Sequence, residues 1–204
     1  MGAVGTSIAL EAACVAGQSV AILGQGLYGL GCTKAFSLRG CGPIVTTDVM
    51  GKRLELSKIY GATDVRNAKE QTVEDILKDY PGGFDYVIES TGNAKVLNDA
   101  IMLAKKRIIL ASMYPDKATI DLGGKFHHQR MSISANKAYP GTYPLAHYMV
   151  DHGSFDIGHL ISDIITPGHS QWAYEALLDE PEKHLEILVD WTGLKQKKRL
   201  WNDN

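Results

Sequence analysis

The chain has 204 residues, 45% hydrophobic and 22% charged, with a formal net charge of −2 at pH 7. A chain of that length buries roughly 70% of its unfolded surface and needs no covalent staple, and its near-neutral balance gives no reason to expect nucleic acid or an anionic membrane as partner. Three cysteines at wide spacings without a CxxC argue against a disulfide framework or a structural zinc knot and for a reducing, cytoplasmic setting.

In chain order, short β-rich runs alternate with helix-like windows. The N-terminus, MGAVGTSIALEAACVAG, lacks the basic leader of a signal peptide, and no apolar run reaches membrane-spanning length. Residues 6–16 read as a helix ending at Gly17, 19–23 as a strand, and 24–29 as a turn. A helix over 30–39 stops at Gly40-Cys41-Gly42-Pro43, and a strand over 44–47 ends in Asp48. A helix over 52–60 is closed by Gly61, a favourable C-terminal glycine. Then come a strand at 64–66, a helix over 73–79 broken by Pro81-Gly82-Gly83, a strand at 86–89, and a helix over 93–105. In that last helix Val96, Leu97, Ala100, Ile101 and Ala104 keep the 3.6 period. Strands follow at 108–110 and 131–134, with Lys105-Lys106 expected in an exposed turn before the first of them.

Strict alternation of strand and helix, with continuously apolar strands, predicts a parallel sheet covered on both faces. Right-handed crossovers make it doubly wound: an α/β Rossmann arrangement of about six strands over residues 1–165. Past residue 140 the pattern changes. Pro140, Gly141 and Pro144 mark a loop, 145–152 and 170–178 read as helices, and 184–190 as a strand. Residues 166–204 are thus expected as a helix–strand extension with a polar, basic tail from 194 that frays.

Gly24, Gly26 and Gly29 have GxGxxG spacing, directly after an apolar strand and at the start of a helix. The first permits a tight turn, the second lets the backbone approach a pyrophosphate, and the third lets helix and strand pack closely. The N–H groups at the helix start then face the phosphates. Asp48, 24 positions after Gly24, is placed to accept both adenosine ribose hydroxyls and to repel a 2′-phosphate, favouring NAD over NADP. Arg53 is a candidate to lie over the adenine, or a solvated residue at a helix start. An S-adenosylmethionine site fits less well, because its turn has a glycine where this chain has Tyr28.

The segments GQSVAILGQGLYGLGCTKAF, TTDVMGKRLELSKIYGATDV, FDYVIESTGN, RIILASM, FHHQRMSISAN and LEILVDW together resemble the medium-chain dehydrogenase/reductase superfamily, the zinc-type alcohol and polyol dehydrogenases, over roughly residues 5–191. Short-chain dehydrogenases need a Tyr with a Lys four residues later, and Tyr114 is followed there by Ala118. The resemblance implies that Gly24, Gly26 and Gly29, with the amides of Leu27 and Tyr28, hold the pyrophosphate and that Asp48 takes the ribose. Thr91 and Gly92 would line the adenosine side; Ser112, Met113, Ala135 and Asn136 would lie near the nicotinamide. It also implies dimerisation through the sixth strand, over 132–135.

Family members begin with a separate GroES-like catalytic domain that carries most zinc ligands and the proton relay, and this chain starts near the hinge helix that follows it. Zinc is therefore expected only in a full-length relative. Cys14 and Cys32 read as buried residues within helices and Cys41 as a turn residue, while His127-His128 on an extended chain would point apart. Trp172, Trp191 and Trp201 read as packing or tail residues, and the face of Ile187, Val189 and Trp191 as orphaned or packed on another chain. Three readings remain: the cofactor-binding part of an NAD-dependent dehydrogenase completed by a separate catalytic domain or subunit, a stand-alone NAD(H)-binding module without turnover, and a degenerate fragment that binds nothing.

Overall fold

The computed structural model describes residues 2–137 and 140–192; the expected basic tail and Trp201 lie outside the described residues. The chain divides into two compact units, Met1–Ile157 and Gly158–Asn204. The first holds a six-stranded sheet in the order β3-β2-β1-β4-β5-β6 with every pairing parallel. The strands are β1 (Val20–Leu23), β2 (Ile44–Asp48), β3 (Asp64–Asn67), β4 (Phe84–Glu89), β5 (Ala104–Leu110) and β6 (Ser132–Ala135). Strand order reverses between β1 and β4, the point at which an open α/β sheet offers a crevice at its strand ends.

The helices between them are α1 (Gly2–Ala12), α2 (Leu27–Leu38), α3 (Gly51–Ile59), α4 (Val73–Asp79), α5 (Val96–Leu103) and α6 (Gly124–His128), followed by α7 (Tyr143–Asp151). Alternate side chains along a strand point to opposite faces, and the core obeys this. Val20 and Ile22 join Ile8, Phe36, Ile88 and Ile109 on one face of the sheet. Ala21 and Leu23 join Val87, Ala100, Leu103 and Ile108 on the other. Strand β1 is apolar and buried at every position because both faces of the sheet are covered there.

Helix α1 crosses α2 at unusually close range, since a Cβ on Gly5 would fall 2.2 Å from the Gly31 carbonyl oxygen. The far end of α1 is fastened to the sheet. Arg107 of β5 donates to the Glu11 carbonyl at 2.9 Å and to its carboxylate at 2.6 Å, and Ser134 of β6 donates to the same carboxylate at 2.8 Å.

Several elements differ from expectation. Helix α1 ends at Ala12 rather than 16, because Ala13 turns left-handed at φ 51°. Cys14 therefore leaves the helix and meets Cys41 as a disulfide, with Cα atoms 6.9 Å apart, so the expectation that the cysteines stay unpaired is corrected and the compartment argued from them loses its footing. Cys32 lies inside α2, buried in the same core, and burial pushes its thiol up to about 12. Helix α5 stops at Leu103 and β5 starts at once, so Lys105-Lys106 sit within a strand rather than a turn. They form a bulge there: Phe84 pairs with Ala104 and Tyr86 with Arg107. His127-His128 lie on the short helix α6, not on extended chain.

The second unit contains β7 (Ile161–Ile165), α8 (Ser170–Asp179) and β8 (Glu186–Val189), the two strands pairing in parallel. Strand β7 was not foreseen. Strands β7 and β8 both lie in the unit that begins at Gly158. His184 and Asp163 approach at 2.7 Å, and Trp172 stands edge-on to the His184 ring. Ile187 and Val189 are half-buried and Trp191 is exposed. Among the described residues no helix is long and apolar enough to cross a membrane.

Two outcomes are expected. Gly5→Ala forces α1 off Gly31 and should destabilise the chain by about 1–3 kcal/mol, the usual range for overpacking, read as a lowered urea midpoint with unchanged slope. Thr72 caps α4 through a reciprocal bond with Asp75, and the Lys78 ammonium, then the Thr72 N–H and hydroxyl, hold the Asp75 carboxyl down to about 2. A depressed carboxyl stabilises the fold above its unfolded pKa and loses that contribution as pH falls through the folded value. Asp75→Asn should therefore flatten the stability profile between roughly pH 4 and 2, measured by urea unfolding at stepped pH.

Candidate functional site

The strand ends converge on the turn between β1 and α2. Gly24 adopts φ +87°, a left-handed geometry that only glycine takes without strain. A Cβ on Gly29 would fall 1.9 Å from the Gly24 carbonyl oxygen, so the helix sits directly on the turn. At Gly26 no atom lies within 4 Å of a would-be Cβ, leaving that face open to an incoming group. Leu30 makes the first backbone bond of the helix, to Gly26 at 2.9 Å. The N–H groups of Leu27, Tyr28 and Gly29 precede it and have no intrahelical acceptor, which makes the helix start an anion cradle.

Asp48 ends β2 beside this turn and is almost fully buried. Its Oδ2 accepts the Gln25 N–H at 2.6 Å and its Oδ1 the Met50 N–H at 2.9 Å. A carboxylate has about four acceptor positions, so these bonds leave room for hydroxyl donors while fixing the direction of the group. Asp48 thus braces the glycine turn as well as facing the crevice, a role its place in the sequence does not reveal.

Gly24, Gly26, Asp48, Arg53 and Thr91 line one crevice of about 690 Å³, whose deeper wall includes Val73, Ile76, Val96 and Leu103. That size, with an apolar wall and a few convergent polar groups, suits a nucleoside-bearing ligand. Leu27, Tyr28 and Gly29 follow the lining residue Gly26 as the start of α2. Gly92 lies close to the β5 end, where its Cβ would be 2.9 Å from the Met113 carbonyl oxygen. Met113 is 91% exposed. The Ser112 hydroxyl is committed to the Ser90 carbonyl at 2.7 Å. Ala135 closes β6 opposite Leu110. Asn136 donates its N–H to Leu110 and its side-chain amide to Glu11, and its buried Oδ1 has no hydrogen-bond partner among the described residues. The structure therefore brings Gly24, Gly26, Asp48, Arg53 and Thr91 to one crevice, while Ser112 and Asn136 spend side-chain donors on the scaffold.

Five further residues shape the site and were not singled out from the sequence. Gln25, fully buried, donates to the Gly24 carbonyl at 2.9 Å, and the Thr33 hydroxyl lies 2.9 Å from its Oε1. The Ser90 hydroxyl reaches the Gly24 carbonyl at 2.8 Å. Glu89, also fully buried, ends β4 and accepts from the Thr91 N–H at 2.7 Å and from the Thr91 and Tyr114 hydroxyls. Burial first, then the hydrogen bond and charge of Glu89, push the Tyr114 phenol well above its ordinary range. The sequence signals were a glutamine inside a glycine motif and a glutamate at the end of an apolar strand.

A catalytic zinc requires convergent protein ligands. Among the described residues no three His, Cys, Asp or Glu side chains are arranged to hold a metal ion, and the His127 and His128 rings stand edge to face at 6.1 Å. The chain's described residues do not fit that ion.

The family model described as "Zinc-binding dehydrogenase" matches residues 28–134. Sorbitol dehydrogenase of Bacillus subtilis (strain 168) is 30% identical over 177 residues, covering 85% of this chain and 50% of that protein. A crystal structure of an Escherichia coli oxidoreductase/dehydrogenase of unknown specificity superposes with a TM-score of 0.86 at 26% identity, over 93% of this chain and 56% of that one. A putative zinc-binding dehydrogenase from Sinorhizobium meliloti 1021, solved bound to NADP, shares the fold with a TM-score of 0.80 at 22% identity, over 92% of this chain and 56% of that one. The chain spans about half the length of the curated relatives it matches.

Tyr114→Phe removes one donor from the buried Glu89 carboxylate. The expected cost is about 1.5–3 kcal/mol, the range for a hydrogen bond to a charged group, measured by chemical unfolding.

Proposed function

The chain belongs to the zinc-binding dehydrogenase family, and on that premise we propose that it binds a nicotinamide dinucleotide, NAD(H) in preference to NADP(H), as the cofactor domain for hydride transfer between a secondary alcohol and the nicotinamide. The observation that carries this reading is the open face at Gly26 set beside the Asp48 carboxylate in one crevice. The cradle at the start of α2 takes the pyrophosphate through the amides of Leu27 and Tyr28. Asp48 accepts the ribose hydroxyls, and its fixed negative charge disfavours a 2′-phosphate. Arg53 and Thr91 flank the adenosine. Gly92 lies with them on the adenosine side, while Ser112, Met113, Ala135 and Asn136 bound the nicotinamide side through their backbone and their positions after β5 and at the end of β6.

The nicotinamide ring supplies the hydride-accepting carbon. The task of this chain is to hold that ring in place, while the zinc and the acid–base groups come from outside it. Strand β6 is one of the two edge strands of the sheet, with Ser132 and Ala135 exposed, which supports an edge-to-edge homodimer. A second reading is a stand-alone NAD(H)-binding module without turnover, and the lack of a metal-ligand group among the described residues agrees with both.

Calorimetry should show NADH binding more tightly than NADPH. Asp48→Asn should weaken NADH by about tenfold or more, the worth of one charge-assisted hydrogen bond, and narrow the gap to NADPH. Unchanged affinity for both would refute the ribose assignment. Turnover of a secondary alcohol by the isolated chain with added zinc would refute the outside origin of the catalytic groups; binding without turnover agrees with either reading, and recovery of activity on adding a zinc-bearing catalytic domain selects the first.

A further inference from the structure

The peptide joining Gly24 to Gln25 is held at both ends. Its carbonyl accepts from Gln25 Nε2 at 2.9 Å and from the Ser90 hydroxyl at 2.8 Å, and its N–H donates to Asp48 at 2.6 Å. The Gln25 side chain is folded back beneath the turn with no exposed surface, and its amide also lies 3.4 Å from the Ile22 carbonyl. Its remaining acceptor, Oε1, is met by the Thr33 hydroxyl, which stands 2.9 Å from it and 3.0 Å from the Gly29 carbonyl inside α2. One side chain therefore ties the turn to the strand before it and to the helix after it. The bonds lie on the protein side of the turn, and the face at Gly26 stays open.

An N–H cradle binds an anion well only if its dipoles already point at it, because turning them during binding opposes affinity. Without the inward bonds, Gly24 to Gly26 is a glycine-rich loop with wide backbone freedom. We infer that Gln25 and Thr33 are positioning residues for a diphosphate: they fix the peptide planes of the turn so that its outward N–H groups are aimed before the ligand arrives. This rests on the dinucleotide reading above, and it assigns the aim of the cradle to two side chains that need not touch the ligand.

The inference separates diphosphate affinity from adenosine affinity. Adenosine uses Asp48 and the apolar wall and makes no demand on the cradle, whereas ADP and NADH do. In the full chain, Thr33→Val leaves Oε1 buried without its donor at almost unchanged volume, and Gln25→Met removes every bond that the Gln25 side chain makes while leaving those of Ser90 and Asp48. Each should weaken ADP and NADH by about tenfold, the effect of one unsatisfied buried group, by calorimetry. Adenosine affinity, followed by ligand-observed NMR, should move by less than about twofold. Thr33→Ser keeps the hydroxyl and should restore ADP binding. Equal losses for ADP and adenosine would reduce both residues to general scaffold and overturn the inference, as would unchanged ADP affinity in either variant. If Thr33→Val fails to fold, Gln25→Met against Thr33→Ser gives the same comparison. Wild-type chain that bound neither ADP nor NADH would overturn the cofactor reading itself; wild-type binding with unselective variants would overturn this inference alone.

Discussion

A glycine turn that must point its N–H groups outward cannot stabilise itself, and everything at the site follows from how this one is held. Its outward donors have to stay unpaired until a ligand meets them, so the restraint comes from behind. Asp48 grips it from β2, Ser90 from β4, and Gln25 with Thr33 from below. These restraints come from parallel neighbours of β1 and from the helix that β1 feeds. The doubly wound sheet is thus the frame that brings three separate stretches of sequence to a single peptide.

The central fold was legible in the sequence because its physics is local. A strand buried on both faces such as β1 is apolar at each position, and a turn needing a left-handed residue, an open face and a close helix contact leaves glycine at each point. Asp48 was legible for the same reason, as a charge closing an apolar strand. Gln25, Thr33, Glu89 and Tyr114 were not, since their partners are set by the tertiary fold and a polar residue next to a glycine carries no mark of where it will point. Strand β7 was overlooked although Ile161, Ile164 and Ile165 ran straight into Thr166-Pro167-Gly168; its partner β8 lies beyond an intervening helix. Lys105 and Lys106 looked like turn residues, yet a bulge lets a strand carry two adjacent lysines at its start. The Cys14–Cys41 pair is not legible because it depends on α1 ending at Ala12, which no residue type in GTSIALEAACVAG marks.

The second unit is physically unlike the first. Among its described residues, a parallel pair with one crossover helix has little to bury, and Ile164, Tyr174, Leu178 and Trp191 remain largely exposed. Its polar contacts, the His184–Asp163 pair and the Ser162 hydroxyl accepting the Leu185 N–H, join β7 to the segment leading into β8. Those contacts set register; they do not supply the apolar burial that stabilises the six-stranded sheet.

The double engagement of Asp48 constrains how this protein could be retargeted. Under the ribose role proposed for Asp48, any replacement that welcomes a bulkier, more anionic ribose also strips the acceptors from Gln25 and Met50, so the loss in ligand preference and the loss in loop order arrive together. A library that varies position 48 alone will report it as intolerant. One that co-varies a neighbour able to receive those two amide protons can uncover pairs whose combined effect departs from the sum of their separate ones.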